Sequence, residues 1–460
     1  MKHTFDSDIL KECDIRGVVD RNLGDQDAYF VGRGFGTMLR LKNKKNCLVG
    51  RDGRLSSKRL AESTISGLID AGIDVVDGGL IPTPAVYFGV NALKIQAGLM
   101  ITASHNPPEY NGFKFLTDEG SFHGEDIVNL GSICREGVFA VGEGLCSQRN
   151  IIPEYMDYLL KFLDTRLLKN LKVVWDPGNG AAGIILSSLL EKIPGDHILI
   201  CGEVDGRFPN HHPDPSLPEN TIMLSRKVLE EKADLGIALD GDGDRMAAVD
   251  GKGRLLYGDQ LLVLFSRDYL RRFPGATVMS EVKASRFFYD EIFAMGGSPL
   301  MWKVGHTNQK AKMKEEAIGL AGETSGHFFF QENYGFDDGL FAAIKLLNFL
   351  NGEEDSLNEI VDSFPVYHDS GEIRVSLTSE ERHRVIEELK SQLRSVGRDH
   401  TDIDGIRVST EEGFWMLRSS NTQPHLTIRC EALTKSGLEE TMNELRDLLS
   451  VAGVKKDDLW

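Results

Sequence analysis

Three aspartates alternate with glycines in the run Asp240-Gly241-Asp242-Gly243-Asp244-Arg245. Carboxylates this close repel one another unless a cation sits among them. Oxygen-only ligands select hard ions, which makes Mg²⁺ the natural guest. A calcium EF-hand needs glycine at loop position six and glutamate at twelve. Arg245 and Gly251 stand there, so that reading fails and a solvated acidic turn is the plain alternative. Upstream lies Thr102-Ala103-Ser104-His105-Asn106-Pro107. A serine between an apolar strand and the Pro107-Pro108 stop is expected to be exposed on a stiff loop. Its hydroxyl can carry a phosphoryl group there, with neighbouring N–H groups steadying the anion. A serine carrier paired with an acidic metal loop points to phosphoryl transfer. A helix cap or simple turn would use the same residue types.

Two more polar loops extend the set. In Gly322-Glu323-Thr324-Ser325-Gly326-His327, the alternating Glu323 and Ser325 can face one ligand, and a carboxylate with a hydroxyl suits the hydroxyls of a sugar. His327 can move a proton, although a lone histidine is more often structural. Arg418, Ser420, Asn421 and Thr422 fall in a turn between strands, a collection of donors suited to phosphate and also to an ordinary β-turn. Arg245 adds a fixed cation beside the aspartates. Arg16, Arg51, Arg54 and Lys114 are basic groups near loops, each singly more ordinary as a surface charge. Lys114 could serve as a base only if desolvated or held near other cations.

The elements that must position these loops alternate short β-rich runs with helical patterns, the mark of α/β architecture. Strands are expected at 46–50, 73–77 and 97–101, with a helix over 57–71. A second unit has strands at 171–175, 197–201 and 235–239 and a helix near 181–193. A third starts near Gly251 with strands at 277–279 and 320–321. From about Phe364 the alternation changes: strands at 372–375, 415–418 and 426–430 and helices at 379–396 and 438–449 read as a small α+β domain. The loops after 97–101 and 235–239 fall at carboxyl ends of strands, where open α/β sheets place ligands.

Composition narrows the options. A chain of 460 residues holds about three domains, with two to four credible. A net charge of -18 argues against general affinity for nucleic acid or anionic membrane surfaces. It also means that a phosphate site must be a local concentration of cations and N–H groups. No run of 18 apolar residues occurs, and residues 1–17 hold no apolar core of signal-peptide length. Six scattered cysteines without a C-x-x-C pair suit buried thiols in a reducing compartment better than disulfides or zinc. A cytoplasmic protein is expected. Gly178-Asn179-Gly180-Ala181-Ala182-Gly183 matches a dinucleotide fingerprint, with Glu203 placed as its acid. That dehydrogenase reading leaves every other polar loop unexplained, and a tight strand-to-helix turn is the preferred alternative.

Taken together, the motifs resemble the α-D-phosphohexomutase family, nearest its bacterial phosphomannomutase/phosphoglucomutase members. The resemblance spans nearly the whole chain and rests on D-I-R-G at Asp14, T-A-S-H-N-P at Thr102, D-G-D-G-D-R at Asp240, G-E-x-S-G-H at Gly322 and R-x-S-N-T-x-P at Arg418. The segments Pro82-Thr83-Pro84, Val304-Gly305-His306 and Gly335-Phe336-Asp337-Asp338-Gly339 also look like family elements. It implies three similar α/β domains, with mixed sheets sandwiched by helices, at 1–150, 151–251 and 252–367, and a smaller α+β domain at 368–460, all around a central cleft. Ser104 would be the phosphoserine, and Asp240, Asp242 and Asp244 with a phosphoserine oxygen would hold Mg²⁺. Glu323 and Ser325 would hold sugar hydroxyls O3 and O4; Arg418, Ser420, Asn421 and Thr422 would grip the unreacting phosphate. Lys114 and His327 would be the general acid and base candidates, with Arg16, Arg245, Lys303 and His306 lining the cleft.

The implied reaction interconverts hexose 1-phosphate and hexose 6-phosphate through a hexose 1,6-bisphosphate, in a monomer or weak homodimer. Thr324 stands where many hexose-specific members have Met and glucosamine-specific members often have Gln, so the sugar stays open among mannose, glucose and glucosamine. Contacts to O3 and O4 do not sense the O2 epimer. Cys13 replaces a common aromatic residue, which reads as packing. The rivals are a phosphoglucosamine mutase on the same scaffold and a non-catalytic sugar-phosphate binding protein.

Overall fold

The computed structural model describes residues 1–164, 170–419 and 425–454. Three sheets repeat one strand order. In the first, Asn46–Arg51 lies between Asp74–Leu80 and Ala97–Ile101, parallel to both. Tyr110–Thr117 then returns antiparallel to Ala97–Ile101. In the second, Lys172–Asp176 lies between Asp196–Leu199 and Leu235–Leu239, again parallel, and Met246–Asp250 returns antiparallel. In the third, Thr277–Glu281 lies between Ser298–Trp302 and Leu320–Gly322, and Phe328–Phe330 returns. In these three sheets the Ser104, Asp240 and Glu323 loops each link the last parallel strand to its antiparallel return, while the Arg418 loop joins two antiparallel strands of the fourth unit. The repeat places all three loops at carboxyl ends of strands, beside the point where the strand order reverses. Hydrogen bonding in the second sheet continues past residue 251, since Leu255–Leu256 pairs with Met246–Asp250.

The parallel strands that lead into the Ser104 and Asp240 loops are apolar and buried on both faces: every residue of Ala97–Ile101 and of Leu235–Leu239 is buried. Helices cover those faces, as parallel sheets require. Helices Asp25–Leu41 and Ser57–Asp70 pack on one another closely enough that a Cβ on Gly32 or Gly67 would strike the facing backbone. One continuous core runs through Leu48, Trp175, Leu239, Leu262 and Phe341, so the first three units share packing.

The fourth unit is antiparallel, with sheet order His368–Asp369, His425–Ala432, Gly413–Ser419, Ile406–Ser409 and Ile373–Ser376 also on His425–Ala432. Helices Ser379–Ser395 and Lys435–Val451 pack on it around Trp415, Leu389 and Leu445. Ser379–Ser395 starts at a capping box, Thr378 accepting from the Glu381 N–H at 3.3 Å while the Glu381 carboxylate accepts from Thr378 N–H at 2.9 Å. This core is separate, and docking on the third unit joins a small apolar cluster of Val282, Phe414 and Met416 to polar contacts. Arg407 Nη1 donates to the Ala284 carbonyl at 2.7 Å beneath the Phe414 ring, and Glu431 accepts from the Ser285 hydroxyl at 2.9 Å.

Among the described residues, no helix is long and apolar enough to cross a membrane. The cysteines depart from expectation: all are free, but only Cys47, Cys134 and Cys430 are buried, while Cys13 and Cys201 are half-buried and Cys146 is exposed.

Candidate active site

Strand Ala97–Ile101 delivers Ser104 to a tight turn, with φ of 50° at Ser104 itself. Thr102 Oγ1 accepts from Ser104 N–H at 2.8 Å and donates to Asp52 at 2.8 Å. Arg54 holds the turn from beneath. Its Nη2 donates to the carbonyls of Ser104 at 2.7 Å and Asn106 at 2.6 Å, and its Nη1 to those of Pro107 at 2.6 Å and Tyr110 at 3.0 Å. Ser104 is not exposed as its sequence context suggested: only 1% of its surface meets solvent. The reason is the aspartate loop, which lies against it. A Cβ on Gly241 would stand 2.5 Å from the Ser104 carbonyl oxygen, so only glycine permits the approach. Ser104 Oγ donates to Asp240 Oδ2 at 2.7 Å.

Arg54, a basic residue of no special standing in the sequence, is thus a buried brace. Replacing it with Met strips Asp52 of its ion pair and several carbonyls of their donors. We expect Arg54→Met to cost about 3–5 kcal/mol of stability, read by denaturant unfolding, and Arg54→Lys to fail to restore it because lysine lacks the fork.

Asp240, Asp242 and Asp244 are each fully buried, and one oxygen from each lies within 4.8 Å of the others. The Asp242 Oδ1 and Asp244 Oδ1 atoms are buried with no hydrogen-bond partner. Burial, then Asp242 and Asp244, push the Asp240 carboxyl well above the usual range. Orphaned, mutually repelling oxygens are the setting a hard cation satisfies, so the trio fits Mg²⁺. Thr83 explains its place in the motif set: its hydroxyl donates to Asp242 Oδ2 at 2.6 Å and its N–H to the Asp242 carbonyl at 2.9 Å.

Lys114 sits in the antiparallel return strand and reaches the same trio, 2.8 Å from Asp242 and 2.5 Å from Asp244. Burial alone would lower its pKa, but Asp242, Asp244 and Asp240 outweigh it and raise it. The sequence condition for a basic lysine, neighbouring cations, is reversed. Here Lys114 is held as an ammonium.

His327 forms an isolated bridge with Arg245, placing Arg245 Nε 3.2 Å from His327 Nε2. Its Nδ1 faces Glu323 at 3.0 Å and the Ser325 hydroxyl at 3.0 Å. Burial and Arg245 disfavour the imidazolium, while Asp244 and Glu323 outweigh them and hold the pKa up at about 9. The Arg245 contact asks for a lone pair on Nε2 and the carboxylates ask for a second proton; the carboxylates win, so near neutral pH the ring is mainly imidazolium. His306 stacks on His327 at 5.4 Å between ring centres, and its Nδ1 lies 3.3 Å from Asp337. Lys310 completes the group, 2.8 Å from Asp337.

These parts meet at a cavity of about 740 Å³ lined by Arg16, Ser104, Lys114, Arg245, His306 and His327, among others. Arg16 pairs with Asp14 and donates to Asn106 at 2.5 Å. Glu323 and Ser325 join through His327, and Glu323 also accepts from Gly305 N–H at 2.7 Å. Lys303 is not brought in: its side chain is exposed and it does not line this cavity. Arg418 lies in the fourth unit, 3.3 Å from Asp404, whose carboxylate also accepts from Val304 N–H at 3.0 Å. Ser420, Asn421 and Thr422 lie outside the described residues. Thr324 turns its hydroxyl onto Glu281 at 2.5 Å, so it braces its loop.

Sequence reasoning missed Lys310, Asp404 and Glu281, which lie in no recognisable pattern, and left Asp337 without a role. It rightly set aside the dinucleotide motif. Ala181 N–H donates to the Gly241 carbonyl at 2.9 Å, and a Cβ on Gly180 would stand 2.7 Å from that oxygen. The glycines let the helix turn pack on the aspartate loop, filling the crevice a pyrophosphate would need.

Known proteins share this four-unit chain. Residues 7–130, 153–253 and 257–367 match the family models for alpha/beta/alpha domains I, II and III of phosphoglucomutase/phosphomannomutase, and residues 372–448 match its C-terminal domain. The chain is 41% identical over 447 residues to a phosphomannomutase/phosphoglucomutase of Pseudomonas aeruginosa, covering 97% of this chain and 96% of that one. It is 38% identical to a phosphoglucomutase of Neisseria gonorrhoeae, covering 96% of each. A crystal structure of a phosphoglucomutase/phosphomannomutase family protein from Burkholderia thailandensis superposes with a TM-score of 0.93 at 36% identity, covering 98% of this chain and 99% of that one. With every one of its four units matched and its length shared with these relatives, the chain belongs to the phosphoglucomutase/phosphomannomutase family.

Proposed function

We propose that the protein is a hexose-phosphate mutase that moves a phosphoryl group between the 1- and 6-positions by way of Ser104. The observation that carries this reading is the Ser104 hydroxyl, hydrogen-bonded to Asp240 of a buried carboxylate trio and lining a cavity with Arg16, Lys114 and Arg245. Asp240, Asp242 and Asp244, with an oxygen on Ser104, would hold Mg²⁺, which would neutralise charge on the transferring phosphoryl oxygens.

The remaining chemistry belongs to the chain. Arg16, Lys114 and Arg245 concentrate positive charge that attracts a phosphorylated sugar despite the acidic exterior. Glu323 and Ser325 orient sugar hydroxyls, and Arg418 with Ser420, Asn421 and Thr422 grips the phosphate that does not react. The free sugar hydroxyl attacks phosphorus while its proton passes to the neutral form of His327, the minor form below a pKa of about 9. The new sugar O–P bond forms as the Ser104 O–P bond breaks, and Ser104 leaves as an alkoxide that stays unprotonated until it attacks in the second transfer. The resulting hexose 1,6-bisphosphate turns over in the cavity. Ser104 then takes the other phosphoryl group and the proton returns to the departing sugar oxygen. The enclosed position of Ser104 keeps water from intercepting the group.

Contacts to O3 and O4 leave the 2-position unread. We expect turnover with mannose 1-phosphate and glucose 1-phosphate to agree in kcat/KM within about tenfold, less than 1.4 kcal/mol, and glucosamine 1-phosphate to be slower. A steady-state panel of the three checks this. Preference for glucosamine 1-phosphate would reassign the sugar, and binding of all three without turnover would leave a binding protein.

A further inference from the structure

A second cluster of ligand-type side chains lies in the second unit, away from the cavity above. Asp176 ends strand Lys172–Asp176, and Cys201 follows the neighbouring parallel strand Asp196–Leu199. His211 comes back to them from the loop beyond. The Asp176 carboxylate oxygen, Cys201 sulfur and His211 ring nitrogen lie within 4.8 Å of one another. We propose that Asp176, Cys201 and His211 form a binding site for a borderline-soft divalent transition metal of the Zn²⁺ class.

The donor set carries the choice of metal. One thiolate, one imidazole and one carboxylate suit Zn²⁺ or Co²⁺ and not Mg²⁺. Met223 adds a second soft atom, its sulfur 3.6 Å from the Cys201 sulfur. The ligands are already oriented. Asp176 Oδ1 accepts from Gly178 N–H at 2.9 Å, which leaves Oδ2 to accept from His211 Nε2 at 2.9 Å; against burial, Asp176 and Cys201 hold the His211 pKa up at about 10, so a metal would displace that Nε2 proton. His211 Nδ1 donates to the His212 carbonyl at 3.0 Å, the outer contact that fixes the ring of a metal-bound histidine. Bond lengths of about 2.0–2.3 Å to a tetrahedral ion put neighbouring ligand atoms about 3.3–3.8 Å apart, within reach of small side-chain rotations. His211 and Met223 also line a cavity of about 520 Å³, which gives an ion a route to the cluster from that side.

The site would act as a clasp. Cys201 and His211 bracket a loop that reaches across to the Ser104 turn: Phe208 lies 5.1 Å from the Arg54 guanidinium, and Val204 covers Gly53. Metal bound at its base fastens that loop to the buried strand end.

The test uses the full-length protein with excess Mg²⁺ to fill the oxygen-only trio. Titrating Co²⁺ should give a thiolate-to-metal charge-transfer absorption that saturates at one equivalent and is displaced by Zn²⁺. The absorption should vanish in Cys201→Ser and persist in Cys13→Ser, and His211→Gln should weaken binding by more than the ~10–100-fold that loss of an outer contact costs. In the unaltered protein, Zn²⁺ should slow alkylation of Cys201 at least about tenfold, read by peptide mass, which keeps the test valid if a variant misfolds. The proposal is overturned if no thiolate absorption develops, if it survives in Cys201→Ser, or if Zn²⁺ leaves Cys201 alkylation unchanged.

Discussion

Ser104→Ala should lower mutase turnover by on the order of 10³-fold or more, the scale at which loss of a covalent nucleophile is felt, while hexose 1-phosphate still binds. The two effects separate because the cationic groups that attract the substrate, Arg16, Lys114 and Arg245, do not depend on the hydroxyl. Folding is also spared. The alanine removes one hydrogen bond to Asp240, worth about 1–3 kcal/mol, and a domain structure of this size retains its thermal transition. Coupled-assay kinetics, calorimetric binding and a melting curve on one preparation are sufficient. Intact-mass analysis adds an independent readout: the unaltered protein should carry a population heavier by one phosphoryl group, absent from the variant. Normal turnover in Ser104→Ala would defeat the mechanism, whatever the binding data show.

The second large effect concerns Asp242. Asp242→Asn should lower activity about 10²–10³-fold, the usual loss when one preorganised electrostatic group is removed, and should weaken Mg²⁺ activation in the same titration. Chelation with EDTA should abolish activity in the unaltered protein. Stability should move the other way. Three buried carboxylates face Lys114, Arg245 and His327, and the Asp240 carboxyl is pushed up by burial and then by Asp242 and Asp244. Neutralising one of them relieves that repulsion, so in EDTA the melting midpoint of Asp242→Asn should equal or exceed that of the parent. A variant that is both inactive and strongly destabilised would mean that Asp242 supports the fold and not the ion. Activity that persists in EDTA would remove the metal from the mechanism.

The site was legible in the sequence to the extent that its chemistry is carried by contiguous residues. The aspartate loop, the Ser104 turn and the Glu323–His327 loop are each a short run whose residue types announce a role, and each falls where an apolar strand ends. The strands Ala97–Ile101 and Leu235–Leu239 were readable to the residue because they are fully buried, continuous apolar runs. The return strands were not. Tyr110–Thr117 carries Asn111 and Lys114 among apolar neighbours, and Phe328–Phe330 is only three residues long. Helix His306–Glu316 has almost no apolar face, so periodicity is silent there although it carries His306 and Lys310 to the cavity.

By itself the sequence determined which atoms are available: a hydroxyl, three alternating carboxylates, a histidine and local cations, on a chain of α/β alternation. Short-range steric and hydrophobic preferences set those features, and they can be read from neighbours along the chain. Only the tertiary structure decided what each group does to the others. Packing of Gly241 on the Ser104 turn buries a serine expected in the open. The antiparallel return strand drives Lys114 between Asp242 and Asp244, so a lysine whose burial favours losing its proton keeps it. Arg54 becomes the brace of a loop fifty residues away. Each outcome depends on charge and distance between segments far apart in the chain, and an electrostatic interaction has no sign or size until folding fixes the separation.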